Sequence, residues 1–96
     1  KSIADSTLSA LTIGALSLSP EFSSGTVGYT ATTSNTTNTI TASATDSNAV
    51  IAISVNDNPV QNGSAVTWAS GENIVTITVT NGTSITMYSI TVTKTV

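Results

Sequence analysis

Residues 73–80 alternate without a break, Val75, Ile77 and Val79 against Thr76, Thr78 and Thr80, and Asn81-Gly82 then turns the chain into a second alternating run. Side chains at i and i+2 share one face of a strand, so this pattern gives one aliphatic face and one Thr-covered face, as in a sheet packed on a core. No segment repeats apolar residues at i, i+3, i+4 and i+7 over a useful length for a helix, and turn signals recur about every 8 to 12 residues. The expectation is an all-β sandwich of about seven antiparallel strands in two sheets.

At 96 residues the chain suits a single domain, able to bury roughly two-thirds of its unfolded surface in one core. No Cys is present, so no disulfide staples it; the weak lean is toward a bacterial or phage origin, because small secreted eukaryotic domains tend to be disulfide-dense. The start, Lys1-Ser2-Ile3-Ala4-Asp5, has no apolar stretch like that of a signal peptide, and no apolar run reaches the length of a membrane span. Residues 1–96 therefore read as one domain excised from a larger multidomain protein, with no membrane insertion.

Charge is carried only by Lys1, Asp5, Glu21, Asp46, Asp57, Glu72 and Lys94, for a formal net charge of -3. Thr, Ser and Asn supply the polarity instead, and Thr suits both a pleated surface and water. Binding nucleic acid requires clustered Lys or Arg to displace counterions, and the chain has no Arg and two Lys near its ends. Nucleic acid is excluded as a partner.

Along the chain, Leu8, Leu11 and Ile13 open a first strand, with Leu16 and Leu18 continuing it past a bulge or strand switch at Gly14 as one kinked edge strand. Ser19-Pro20-Glu21-Phe22 reads as a turn that folds Phe22 back as a lid on the core. Val27, Tyr29 and Ala31 mark a second strand, and Ile40, Ala42 and Ala44 a third. Val50–Val55 forms a nearly continuous apolar strand, Val60 a short excursion, and residues 65–68 a brief strand before the closing hairpin. A two-residue Asn81-Gly82 turn would pair Thr80 with Thr83, Ile77 with Thr86 and Val75 with Tyr88. That register puts Tyr88, Ile90 and Val92 inside and turns Ile85 and Met87 outward, making these two the candidate contact patch.

Several segments in order resemble the cadherin-like β-sandwich domains, an immunoglobulin-like family repeated in bacterial cell-surface and secreted proteins. They are Leu8-Ser9-Ala10-Leu11-Thr12-Ile13, Leu18-Ser19-Pro20-Glu21-Phe22-Ser23 with Tyr29-Thr30, residues 71–80, and Tyr88-Ser89-Ile90-Thr91-Val92. The Asn81-Gly82-Thr83 connection is shorter than usual for the family, and Trp68 stands where a smaller apolar residue is common. The resemblance implies no catalysis and no cofactor. It implies spacing, display or adhesion on a bacterial cell surface, and similar domains decorate phage particles. Expected partners are neighbouring domains of the same polypeptide and, in a second reading as a carbohydrate- or cell-wall-binding module, surface glycans.

The chemistry of the chain agrees with a passive role. Hydrolytic triads and zinc sites need an imidazole or a thiolate, and the chain has no His and no Cys. A glycosidase needs two carboxyls facing one cleft about 5 to 10 Å apart, whereas the five here are scattered through separate turns. No catalytic, cofactor-binding or metal-binding residue is assigned. Asn56-Asp57-Asn58-Pro59 invites comparison with a calcium linker, but Ser54 replaces its leading Asp and the motif lies mid-chain, so turn chemistry is the preferred reading, with a weak calcium site at Asp57, Asp46 or Glu72 as its rival. Trp68, Tyr29 and Tyr88 fall at inward positions, which favours core packing over sugar stacking. Asn35, Asn62 and Asn81 each open a glycosylation acceptor pattern.

Overall fold

The alternating runs form strands wherever alternation was strongest, in a computed structural model that describes residues 5–14, 16–19, 21–23 and 25–95. Eight strands appear: β1 (Leu8–Ile13), β2 (Gly28–Thr33), β3 (Thr37–Ala44), β4 (Val50–Val55), β5 (Asn58–Val60), β6 (Ala65–Thr67), β7 (Gly71–Asn81) and β8 (Ser84–Lys94). They make a three-stranded sheet in the order β1-β3-β6 and a five-stranded sheet in the order β2-β8-β7-β4-β5. All pairings are antiparallel except β2 with β8, which run parallel. That parallel pair departs from the all-antiparallel expectation, and its cause is a sheet switch.

Gly14 makes the switch. Its φ is +57°, a left-handed conformation that suits glycine, and a Cβ built there would lie 2.4 Å from the Asn38 side-chain nitrogen. After it the chain leaves β1, so Leu16 and Leu18 pack half-buried outside any strand, contrary to their expected place in a continued strand. Ser19 then makes a two-way bridge with Thr30, its N–H donating to Thr30 O at 2.9 Å and its carbonyl accepting from Thr30 N at 2.8 Å. The expected turn includes Pro20, which lies outside the described residues. Its neighbour Phe22 does act as a lid: the ring stacks on Tyr29 with centroids 6.0 Å apart. Tyr29 in turn donates to Ser23 O at 2.7 Å and accepts from Ser23 N at 3.0 Å. Val27, expected in the second strand, precedes β2, which starts at Gly28, and is 47% exposed.

Between the sheets sits one apolar core. Val75, Ile77, Val79, Tyr88, Ile90 and Val92 of the long hairpin are wholly buried and face Leu8, Ile13 and Ile40 of the opposite sheet. Trp68 and Tyr29 are buried as the alternation predicts, each with its polar atom satisfied; the Trp68 indole N–H donates to Asn38 Oδ1 at 2.8 Å. The Val60 excursion proves to be a strand, β5, because Asn56 and Asp57 both adopt positive φ, 51° and 70°, the pair of angles that a type I′ hairpin turn requires.

Asn73 is the one wholly buried side-chain amide among the described residues. Its Oδ1 accepts from Asn56 Nδ2 at 3.0 Å and from Ala69 N at 2.9 Å, while its Nδ2 donates to the carbonyls of Ala69 at 2.9 Å, Gly71 at 3.1 Å and Val92 at 3.3 Å. One side chain thus ties the β4–β5 turn, the β6–β7 connection and β8 together.

The sheet edges are closed by different means. The outer side of β2 carries the Ser19 bridge, β5 is three residues long and contains Pro59, and β1 has a register irregularity between Leu8 and Ala10. Beyond the three residues of β6, Asn62 lays its amide along β3, accepting from Ala42 N at 2.9 Å and donating to Ala42 O at 2.7 Å.

Two substitutions test this architecture by denaturant unfolding. Asn73→Ala removes the side-chain hydrogen bonds to Ala69 N–H and to the carbonyls of Ala69, Gly71 and Val92, and leaves a hole at a wholly buried position; it is expected to cost about 3 kcal/mol. Gly14→Ala forces an L-residue into positive φ against the Asn38 amide that serves Trp68, and is expected to cost about 1–2 kcal/mol; an unchanged midpoint would show that the switch has room to relax.

Candidate functional site

The hairpin turn decides what the outer face displays. Gly82 has φ +61° and Thr83 does not share that sign, so the two central residues are Gly82 and Thr83, as a type II′ turn with Gly first requires. Thr80 therefore pairs with Ile85, Val79 with Thr86, Thr78 with Met87 and Ile77 with Tyr88. The expected register, Thr80 with Thr83 and Ile77 with Thr86, was displaced by two residues along β8. A displacement of two preserves facing, and Ile85 and Met87 do point outward, 62% and 59% exposed.

Polar ties on the inner side hold this orientation. Ser84 and Thr86 turn toward the core, where the Ser6 hydroxyl lies 2.8 Å from Ser84 Oγ and 2.7 Å from Thr86 Oγ1. Leu8 N–H donates to the Tyr88 hydroxyl at 3.0 Å, and Asn81 Nδ2 donates to Asp5 O at 3.1 Å and to Asp46 Oδ2 at 2.9 Å. With both flanking hydroxyls fixed inward, Ile85 and Met87 have only the outer face.

A third residue joins them. Val50 pairs with Thr80 and Ala52 with Thr78 across β4 and β7, so two rows cross the sheet, Val50-Thr80-Ile85 and Ala52-Thr78-Met87. Val50 is 66% exposed. Sequence reading took Val50–Val55 as a nearly continuous apolar strand and missed that the inward set is Ile51, Ile53 and Val55; counting back by two from Ile53 puts Ile51 inside and so turns Val50 outward. The rows contain no charged residue and span about 10 Å between β4 and β8.

The other candidates are dispersed. Asp46 sits in the β3–β4 turn, its Oδ1 accepting from Asn48 N at 2.9 Å, Asp57 at the β4–β5 tip, and Glu72 exposed on β7. Among the described residues no three His, Cys, Asp or Glu side chains gather in one place. The Asn56-Asp57-Asn58-Pro59 motif has its hairpin role in full, with Asn56 Oδ1 accepting from Ile74 N at 2.9 Å. Of the three glycosylation patterns, Asn62 and Asn81 have their amide nitrogens engaged, while Asn35 is exposed. A surface hollow of about 430 Å³ beside Phe22 is lined by Leu11, Leu16, Leu18 and Glu21, with one carboxylate among them.

A model of the cadherin-like β-sandwich domain matches residues 8–95, from the first residue of β1 to one past the last of β8. The chain belongs to this family. A comparison with curated proteins gave no match. The cadherin-like assignment makes the domain a structural or adhesion-type module, and its description as a β-sandwich agrees with the two sheets.

One ionisable group responds to the tie at this end. The Thr7 hydroxyl and backbone N–H both donate to Asp5 Oδ1 and hold its pKa below the ordinary 3.8. A lowered folded pKa adds stability that is complete above the unfolded value and is lost as pH falls through the folded one. Thr7→Val is expected to move the Asp5 pKa upward, read from its carboxyl carbon in an NMR titration; an unmoved titration would assign the shift elsewhere.

Proposed function

We propose that this cadherin-like domain is a non-catalytic structural or display module outside the cell, one unit of a larger bacterial surface or phage virion protein. The observation that carries this reading is the path of the chain. Asp5 lies against Asn81 at the β7–β8 tip, whereas Thr95 donates to Thr33 O at 2.8 Å beside the Lys94–Gly71 pair at the far end of the hairpin. Eleven-residue strands separate the two points by about 35 Å, in a body measuring 51 × 24 × 17 Å. Each such unit adds length along its own long axis.

The patch of Val50, Ile85 and Met87 belongs to the end at which Asp5 enters. Its proposed occupant is a neighbouring domain of the same polypeptide, whose connection would run past this face. Loss of charge from the rows favours an aliphatic contact over a polar one. The glycan-binding reading keeps no such support, because Trp68, Tyr29 and Tyr88 have their rings in the core.

In a two-copy tandem the melting temperature is expected to exceed that of the single domain, and Ile85→Ser with Met87→Ser should abolish the excess. The same pair should leave the single domain within about 0.5 kcal/mol of the parent. A tandem that melts like the single domain removes the contact, and a glycan-array signal lost with the same pair would establish a binding module instead.

A further inference from the structure

We infer that Asn81-Gly82 is a site of self-modification, at which the Gly82 amide nitrogen slowly converts the Asn81 carboxamide to a carboxylate and so unlatches the entering chain from the hairpin tip. The inference goes beyond the display reading and does not depend on it. Two Asn-Gly pairs occur in the chain, at 62–63 and 81–82, and the fold treats them differently.

The chemistry needs only water as co-reactant. The backbone nitrogen of the glycine, giving its proton to hydroxide, attacks the asparagine Cγ. A C–N bond forms, the Cγ–Nδ2 bond breaks, and the departing nitrogen takes a proton from water and leaves as ammonia, which restores the hydroxide. Water then opens the cyclic imide at either carbonyl, giving aspartate or its isoaspartyl isomer. Glycine favours the attack because no Cβ crowds the approach of its nitrogen.

At Asn62 both reacting groups are occupied. Gly63 N–H donates to Ile40 O at 2.7 Å, and the Asn62 carboxamide is clasped through both its atoms to Ala42 N and O. At Asn81 the β7–β8 ladder ends with the Asn81–Ser84 pair, so Gly82 N–H lies beyond it and makes no backbone hydrogen bond among the described residues. A Cβ built on Gly82 would meet nothing within 4 Å, so the nucleophile stands in open space. The Asn81 carboxamide is held through Nδ2, the atom that leaves, by Asp5 O and Asp46 Oδ2. Exposure alone would rank the two sites the other way, since Asn62 is exposed and Asn81 half-buried. The nucleophile decides instead, because an N–H already donating must give up that hydrogen bond before it can lose its proton.

The product cannot keep the latch. An amide nitrogen donates, whereas a carboxylate only accepts. After conversion an oxygen faces two acceptors, Asp5 O and the Asp46 carboxylate, where Nδ2 had lain 3.1 Å and 2.9 Å away, and the two like charges repel. The isoaspartyl isomer also adds a main-chain methylene beside a two-residue turn whose length sets the register. Ser84 and Thr86, which hold the Ser6 hydroxyl, follow that register. The segment from Asp5 to Leu8 thus loosens, while the buried stripe in the middle of the hairpin stays in place.

Incubation of the domain in mildly alkaline buffer, followed by peptide mapping by mass spectrometry, is expected to show Asn81 converting severalfold faster than Asn62. The difference should vanish in guanidinium chloride, where neither nucleophile is held. No conversion at Asn81, equal or faster conversion at Asn62 in the folded domain, or the same bias in denaturant would overturn the site. Asn81→Asp installs the aspartate product directly, and hydrogen exchange at the amides of Ser6, Thr7 and Leu8 is expected to rise severalfold with Val75, Ile77 and Val79 unchanged. Unaltered exchange at the first three, or a rise shared equally by both sets, would overturn the unlatching. These measurements are separate from the melting of the tandem, which tests the intermodular contact.

Discussion

The continuous buried stripe on the β7–β8 hairpin, five aliphatic side chains and Tyr88, is the constraint from which the rest of the domain follows. Six side chains, three on each strand, are entirely removed from water. Each is worth about 1.5–3 kcal/mol of burial, and none could be hidden by a hairpin standing alone. A second sheet is therefore obligatory, and β1, β3 and β6 supply it with Leu8, Leu11, Ile13, Ile40 and Val66. The strands that flank the hairpin in its own sheet, β2 and β4, extend the same inner surface with Tyr29, Ala31, Ile53 and Val55.

With so few charges available, amides and hydroxyls do the cross-linking. Asn73 joins three segments around its buried carboxamide, Asn38 holds the Trp68 indole, Asn62 seals a strand edge, and Asn81 fastens the chain near Asp5 to the hairpin tip. No buried side-chain polar atom is left without a hydrogen-bond partner among the described residues. This matters because an unpaired polar group in the interior costs more than a made hydrogen bond returns. Such neutral ties are less sensitive to salt than surface ion pairs.

Facing was legible from the sequence where period two ran longest. Val75, Ile77 and Val79 could point only one way, and Ile85 and Met87 were correctly turned outward even though the register slipped by two. The slip arose because Asn81-Gly82 and Gly82-Thr83 are both acceptable hairpin centres, and the choice between them rests on local backbone angles. The family was legible for a different reason, since its segments occur in order along nearly the whole chain. Val50 hid within an apolar run in which alternation was masked, β5 hid because two non-glycine residues adopt positive φ, and the irregularity read at Gly14 did not tell that the chain after it crosses to the other sheet, where β2 pairs parallel to β8. The hydrogen bonds of Asn73 were invisible because its partners lie on three separate segments.

The treatment of the sheet margins has a consequence for crowded assemblies. A bare strand margin invites the same margin of another molecule to join it, and units strung along one polypeptide, or packed on one surface, meet at very high local concentration. Pro59 withholds an N–H, the Asn62 carboxamide occupies a stretch of β3, the Ser19 bridge screens β2, and the irregularity in β1 spoils its regular ladder. A strand margin of another molecule is thereby discouraged from joining this one into a continuous ribbon.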